Sequence, residues 1–192
     1  MNAPAKIILL LLASIVSIGL LTGCPKSKNE SDSASAAAPS TRNNCYSLLH
    51  QLLEEQKDVS MLRFIKREHA DVKNLIKKIA DSSGTDSKLL EKLAKEDPSL
   101  RLDDIDLPPG EIATREAIAS TKKKELLSQS GDTFELTLLL TQTEALSYAS
   151  HLAKVAGEND SQPDRARVLA GVSEEMRSLH QEVIAMLFSK GK

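Results

Sequence analysis

The sequence predicts an all-α protein, an antiparallel four-helix bundle that follows a signal peptide and a disordered tether. Two observations point to helices and one excludes sheet. Leu, Ala, Lys, Glu and Ser dominate, while aromatic residues make up 3% and Trp is absent, a helix-forming composition. Apolar residues recur in alternating steps of three and four in three separate segments, the spacing of one helix face. No run alternates with period two for long enough to form a strand.

The first element is N-terminal to that bundle. Lys6 is the sole charged side chain before Cys24, and an apolar run from Ile7 to Leu21 is broken only by Ser14, Ser17 and Gly19. A helix of that length covers about 22 Å, short of the ~30 Å hydrocarbon core of a bilayer. A basic start and a short apolar stretch form the layout of a secretory signal. Leu21-Thr22-Gly23-Cys24 then resembles the lipobox of bacterial lipoproteins, with Leu at −3, small residues at −2 and −1, and Cys at +1. The resemblance implies cleavage after Gly23 and lipidation of Cys24 through its nucleophilic sulfur. It implies acylation of the new amino terminus as well. Two or more chains anchor a protein stably where one does not. Pro25 rather than Asp follows the cysteine; in enteric-type bacteria this implies the outer membrane, facing the periplasm.

The domains expected are therefore 1–23 signal peptide, 24–41 lipidated cysteine and flexible linker, and 42–192 helical bundle. Pro25 to Thr41 is small, polar and charged, without apolar periodicity. Such a segment buries too little surface to order itself and reaches about 20–25 Å as a coil. Taking Lys6 from the 25 basic side chains leaves 24 against 27 acidic ones, a formal charge of −3 for the mature chain. That balance argues against nucleic acid and against an anionic lipid surface as partners. With Cys24 lipidated, Cys45 has no intramolecular disulfide partner. It is either a small buried hydrophobe or the site of an intermolecular disulfide. Its expected place near a helix N-terminus would lower its thiol pKa.

The first helical segment carries a seam of Leu62, Ile65, His69, Val72, Ile76 and Ile79. It is expected to start after the capping residues Asn43 or Asn44 and to end before Gly84. Asp58-Val59-Ser60 is a candidate break within it. A short helix near 88–95 and an Asp- and Pro-rich loop at 97–110 follow. A weaker helix, about 111–130, has only Ile112, Ala119, Leu126 and Leu127 on its apolar face. The next has a seam of Leu138, Gln142, Ala145, Ala149, Leu152 and Ala156. Its start is marked by Gly131 and a capping-box pattern, Asp132 with Glu135, and its end by Gly157. The last, opened by Ser161 and Pro163, has a seam of Leu169, Val172, Met176, Leu179, Val183 and Met186. Short links between the last three helices predict antiparallel neighbours. Three seams in one chain, split by caps, favour an intramolecular bundle over a coiled-coil oligomer.

Four stretches carry a second resemblance. Arg67-Glu68-His69 through Leu75 and Ala80, Leu107-Pro108 before the weaker helix, the Ser130-Gly131-Asp132-Thr133-Phe134-Glu135 turn and Leu179-His180 resemble ferritin-like bundle proteins of the bacterial envelope, a domain family of unknown function. It spans about residues 60–188 and implies a fold and a compartment. The family's usual Phe-Asp after the turn is Phe134-Glu135 here, and its third-helix histidine has only the late His151 as a counterpart.

No catalytic constellation stands out. Gly-x-Ser-x-Gly, a Gly-rich phosphate loop and Cys-x-x-Cys are all absent, so no enzyme and no cofactor is expected. A di-iron centre needs two Glu-x-x-His motifs. Ser47, Lys66, Tyr148 and Arg177 precede the four histidines by three residues, so that motif is missing. A looser set, Glu68, His69, Glu144, His151 and His180, is the weak candidate for a metal; the plainer reading is a hydrogen-bonded core His69 among solvated neighbours. The Lys122-Lys123-Lys124 run reads as a solvated face. The expected role is a non-enzymatic one in the envelope, with an unknown protein partner. The alternatives are a ferritin-like metal or redox protein and an immunity or surface-exclusion lipoprotein.

Overall fold

The computed structural model describes residues 33–59 and 69–190, and within them the protein is all-helical. The lipobox with Cys24, the seam residues Leu62 and Ile65, and the candidate ligand Glu68 lie outside the described residues. The five helices are α1 (Ser33–Asp58), α2 (Ala70–Glu96), α3 (Pro109–Ser128), α4 (Gly131–Glu158) and α5 (Pro163–Lys190). They form a helical bundle in which α4 packs most extensively on α5. Helix α1 packs on both α2 and α4, α2 touches α5, and α3 rests mainly on α4.

The seams form the core. Val72, Ile76 and Ile79 on α2, Leu138, Gln142, Ala149, Leu152 and Ala156 on α4, and Leu169, Val172, Met176, Leu179 and Val183 on α5 are all buried. Tyr46, Leu49 and Leu53 supply the apolar stripe of α1. The weak periodicity of α3 has its counterpart in exposure. Leu126 is its single buried side chain, while Ile112, Ile118 and Leu127 are exposed.

Several boundaries differ from expectation, each for a local reason. Helix α1 begins at Ser33, ten residues before Asn43 and inside the segment expected to be a leash. Ala34, Ala36, Ala37 and Ala38 there have the highest intrinsic helix propensity, and the helix runs on through Pro39. Asn43 and Asn44 therefore fall mid-helix and cap nothing. Asn44 instead clamps the loop after α2, donating from Nδ2 to Asp106 O (3.1 Å) and accepting at Oδ1 from Asp106 N (3.0 Å). Asn43 Nδ2 donates to Ser99 O at 3.0 Å. Cys45 is likewise remote from a helix start. It is buried, and burial pushes its thiol pKa up.

Gly84 does not end α2, which runs on to Glu96 and absorbs the short helix expected at 88–95. A Cβ at Gly84 would lie 3.3 Å from Lys57 Cγ. The missing side chain thus makes room for the lysine stem where α1 crosses α2. Gly131 has φ +60°, a left-handed conformation that favours glycine, and lets α4 begin with only two residues between it and α3. The expected capping box of Asp132 with Glu135 is not formed, since α4 has no side-chain cap. Glu135 is buried and bonded elsewhere.

Candidate functional site

Two clusters of charge mark opposite ends of α4. The first is built on Glu135, which lies one turn before Leu138 and Leu139 on the inward face. Its side chain is 1% exposed. Burial alone would raise its pKa, but the Lys190 ammonium and the N–H groups of His69 hold it below the usual carboxylate range. Lys190 Nζ from the end of α5 donates to Oε2 at 2.7 Å. The His69 backbone N–H donates to Oε1, and its ring Nδ1 lies 2.9 Å from Oε2. Glu135 thus caps α2 from another helix, tying the starts of α2 and α4 to the end of α5.

His69 was expected on the apolar seam of a continuous helix. It instead precedes α2 in extended conformation, with a side chain 65% exposed. The numerical heptad runs through position 69, but the α2 helix starts only at Ala70 and its buried face at Val72. The bond to Glu135 raises the imidazole pKa.

The second cluster closes the other end. The Asp160 side chain, 0% exposed, receives Arg165 Nε and Nη2 at 2.8 Å each and the Tyr46 hydroxyl at 2.9 Å. Arg165 Nη1 reaches Asp97 at 2.8 Å. Burial raises the Asp160 pKa, and the Arg165 guanidinium, the Gln162 N–H and the Tyr46 hydroxyl together more than offset it, leaving a lowered value. Asp160 and Arg165 together therefore join α1, the end of α2 and the α4–α5 turn.

The remaining candidate ligands separate into two places. Glu144 is exposed and pairs with Lys122 of α3, while Tyr148 accepts from Arg115 Nη2 at 2.7 Å. These contacts turn that stretch of α4 toward α3. His151 and His180 instead share a groove of about 620 Å³ between α4 and α5, with Arg177, Ile184 and Phe188. His151 Nδ1 bonds Ser147 O at 2.7 Å. His69 belongs to the Glu135 cluster, so the candidates among the described residues do not gather around one centre.

No family model, curated protein or solved structure matches the chain.

The inward carboxyls were the features missed in sequence. Glu135 sits three and four residues before two buried leucines, a spacing that places it on the core face. Asp86 lies in a buried run with Ser83, Ser87 and Leu90 on α2, again with 3-4 spacing. Its Oδ2 has no hydrogen-bond partner among the described residues. Burial, with Glu175 adding like charge, pushes its pKa up to about 7.

Proposed function

We propose that this chain is a lipid-anchored envelope lipoprotein whose helical bundle serves a non-enzymatic, partner-binding role. The observation that carries the reading is Leu21-Thr22-Gly23-Cys24 directly after a 15-residue apolar run, with Pro25 favouring the outer membrane. The anchor is assigned to lipid on Cys24; no helix among the described residues is long and apolar enough to cross a membrane. The surface best suited to a protein partner is the α4–α5 groove. Phe188, 74% exposed, lines the groove with Ile184 and Ala185, and a contiguous apolar surface of this kind marks an interaction site.

The ferritin-like arrangement belongs to the same proposal. Lys57 of α1 lies against Gly84 of α2, while Ser47 donates to Arg101 O at 2.8 Å; rising numbers on one helix meet falling numbers on the other. Ser150 meets Ser173, and Gly157 meets Leu169, the same relation for α4 and α5. Lys78 pairs with Glu182, and Asp97 with Arg165. These pairs support an up-down-down-up bundle of α1, α2, α4 and α5, with α3 as the crossover.

Replacing Cys24 by Ala abolishes metabolic labelling with palmitate and releases the protein from the membrane fraction; continued labelling refutes the anchor. A photocrosslinker at Phe188 in intact cells captures a defined envelope protein, whereas one at Lys92 does not. Equal or absent capture at both positions removes the groove from the proposal. Turnover of a substrate by the purified protein would overturn the non-enzymatic reading.

A further inference from the structure

We propose that His50 and Glu54 of α1 and Glu91 of α2 form a binding site for a first-row divalent metal ion. The site is independent of the lipid anchor and of the α4–α5 groove. His50 and Glu54 are four residues apart on one helix, so both point from the same face. The α1–α2 pairing then brings Glu91 opposite them, bracketed by Ser47–Arg101 on one side and Glu54–Ser87 on the other. One donor atom from each of the three residues lies within 4.8 Å of the others. Donors bound to a common metal at about 2.0–2.2 Å stand roughly 3–4 Å apart, so a small side-chain closure completes the shell.

Three details distinguish this trio from an ordinary surface ion pair. His50 Nε2 is buried and has no hydrogen-bond partner among the described residues. It lies 3.8 Å from Glu91 Oε1, too far for a hydrogen bond but on the correct side for a shared ion. Glu54 is already oriented by Ser87 Oγ, which donates to Oε1 at 2.5 Å. A hydroxyl that fixes a liganding carboxylate is what metal sites use to set ligand direction. Lys57 Nζ, 2.5 Å from Glu54 Oε2, shows that the position draws positive charge. Its pairing with Glu54 lowers the carboxyl pKa, and the ammonium is the natural competitor of an incoming ion.

The second trio with ligand spacing, His69, Asp132 and Glu135, lacks this character. There the imidazole Nδ1 is already bonded to Glu135 at 2.9 Å, whereas His50 Nε2 is unpartnered among the described residues. At the α1–α2 site, one imidazole and two carboxylates form a mixed nitrogen–oxygen set suited to Zn²⁺, Mn²⁺ or Fe²⁺ rather than Ca²⁺. The Glu91 side chain is 44% exposed. That leaves the fourth position to water and makes the ion exchangeable. An ion there also ties α1 to α2.

Calorimetric titration of the untagged full chain in detergent, after chelator treatment, tests the site with Zn²⁺ and separately with Mn²⁺. The expected result is one ion per chain. His50→Ala and Glu91→Gln each weaken binding by about 100-fold or more, and Ser87→Ala by about 10-fold. Lys57→Gln tightens binding, because it removes the competing ammonium. His151→Ala and His180→Ala leave affinity unchanged. Zn²⁺ raises the melting temperature of the unsubstituted chain and not that of His50→Ala. If His50→Ala fails to fold by circular dichroism, Glu91→Gln, at an exposed position, decides the question alone. Absence of saturable binding overturns the proposal, as does binding that survives Glu91→Gln or is lost in His180→Ala. None of these results bears on Cys24 labelling, so the site and the anchor stand or fall separately.

Discussion

Asp86 and Glu135 are both inward carboxyls, and their surroundings give them opposite pH behaviour. Asp86 has burial without compensation, so its folded pKa, about 7, exceeds the ordinary value of 3.8. A carboxyl with a raised pKa favours the folded state most when protonated. That advantage is lost as pH rises from about 4 to 7, and above 7 a buried charge opposes folding. A shift of about three units corresponds to at most about 4 kcal/mol. Asp86→Asn should therefore raise the melting temperature at pH 8 and change it little at pH 4. Equal effects at both pH values would show that Asp86 is not held neutral. Glu135 has the reverse sign. Its pKa is lowered by Lys190 and His69, so its contribution is present above the ordinary carboxylate range and lost as pH falls through the lower folded value. Glu135→Gln should cost about 1–3 kcal/mol near neutrality, with the difference from the unsubstituted protein vanishing in acid. Chemical denaturation across pH measures both. That these two residues sit inward was legible in the 3-4 spacing. Their electrostatics were not, because the partners come from distant segments, 66 positions away in the case of His69 and Glu135.

At the scale of the elements, α3 differs from the other four helices. It contributes one buried side chain, Leu126, and otherwise holds to α4 through Arg115–Tyr148 and Lys122–Glu144. An exposed ion pair and a single part-buried hydrogen bond contribute little beside core burial. The backbone amides of α3 should thus exchange with solvent before those of α4 and α5, by local opening rather than global unfolding. Leu126→Ala should accelerate that exchange in α3 while leaving the protection of α5 intact. Uniform protection over all five helices would mean that α3 is part of the cooperative core. The thin apolar face of α3 already carried this distinction in sequence, as the strong 3-4 seams of α4 and α5 carried their burial. Ends were harder to read where side chains had two uses. Asn43 and Asn44 have the chemistry of helix caps, yet the loop at 99–106 takes their donors and acceptors. Gly84 has the chemistry of a helix stop, yet a neighbouring lysine stem needs its space. Asp132 and Glu135 have the spacing of a capping box, yet the core and Lys190 claim the glutamate. Local pattern proposes such roles, and contacts between distant segments select among them. The candidate site was legible to a smaller degree. His50 and Glu54 show their shared face in sequence, but Glu91 joins them only once α1 and α2 are paired.

Over the whole molecule, the Glu135 and Asp160 clusters raise the question of how far stability is shared. They lie at the two ends of α4, separated by 25 positions, or about 38 Å at the rise of an α-helix. Each ties several segments together: Glu135 joins the starts of α2 and α4 to the end of α5, and Asp160 joins α1, the end of α2 and the α4–α5 turn. No residue belongs to both networks, and the buried seams of α4 and α5 run continuously between them. Arg165→Ala leaves the fully buried Asp160 side chain without its cation, a loss of about 3–5 kcal/mol. For a single cooperative unit, this loss and that of Glu135→Gln should sum in the double variant to within about 0.5 kcal/mol. Both single variants should also keep the denaturant slope of the unsubstituted protein, because each loses the same folded surface on unfolding. Two resolved transitions, or a slope that falls in only one variant, would show that the ends of the bundle melt independently. In that case the continuous apolar seam is too weak to couple them. A single transition with additive losses assigns the coupling to the seams of α4 and α5, with the charged clusters fixing the ends of a core that already folds as one.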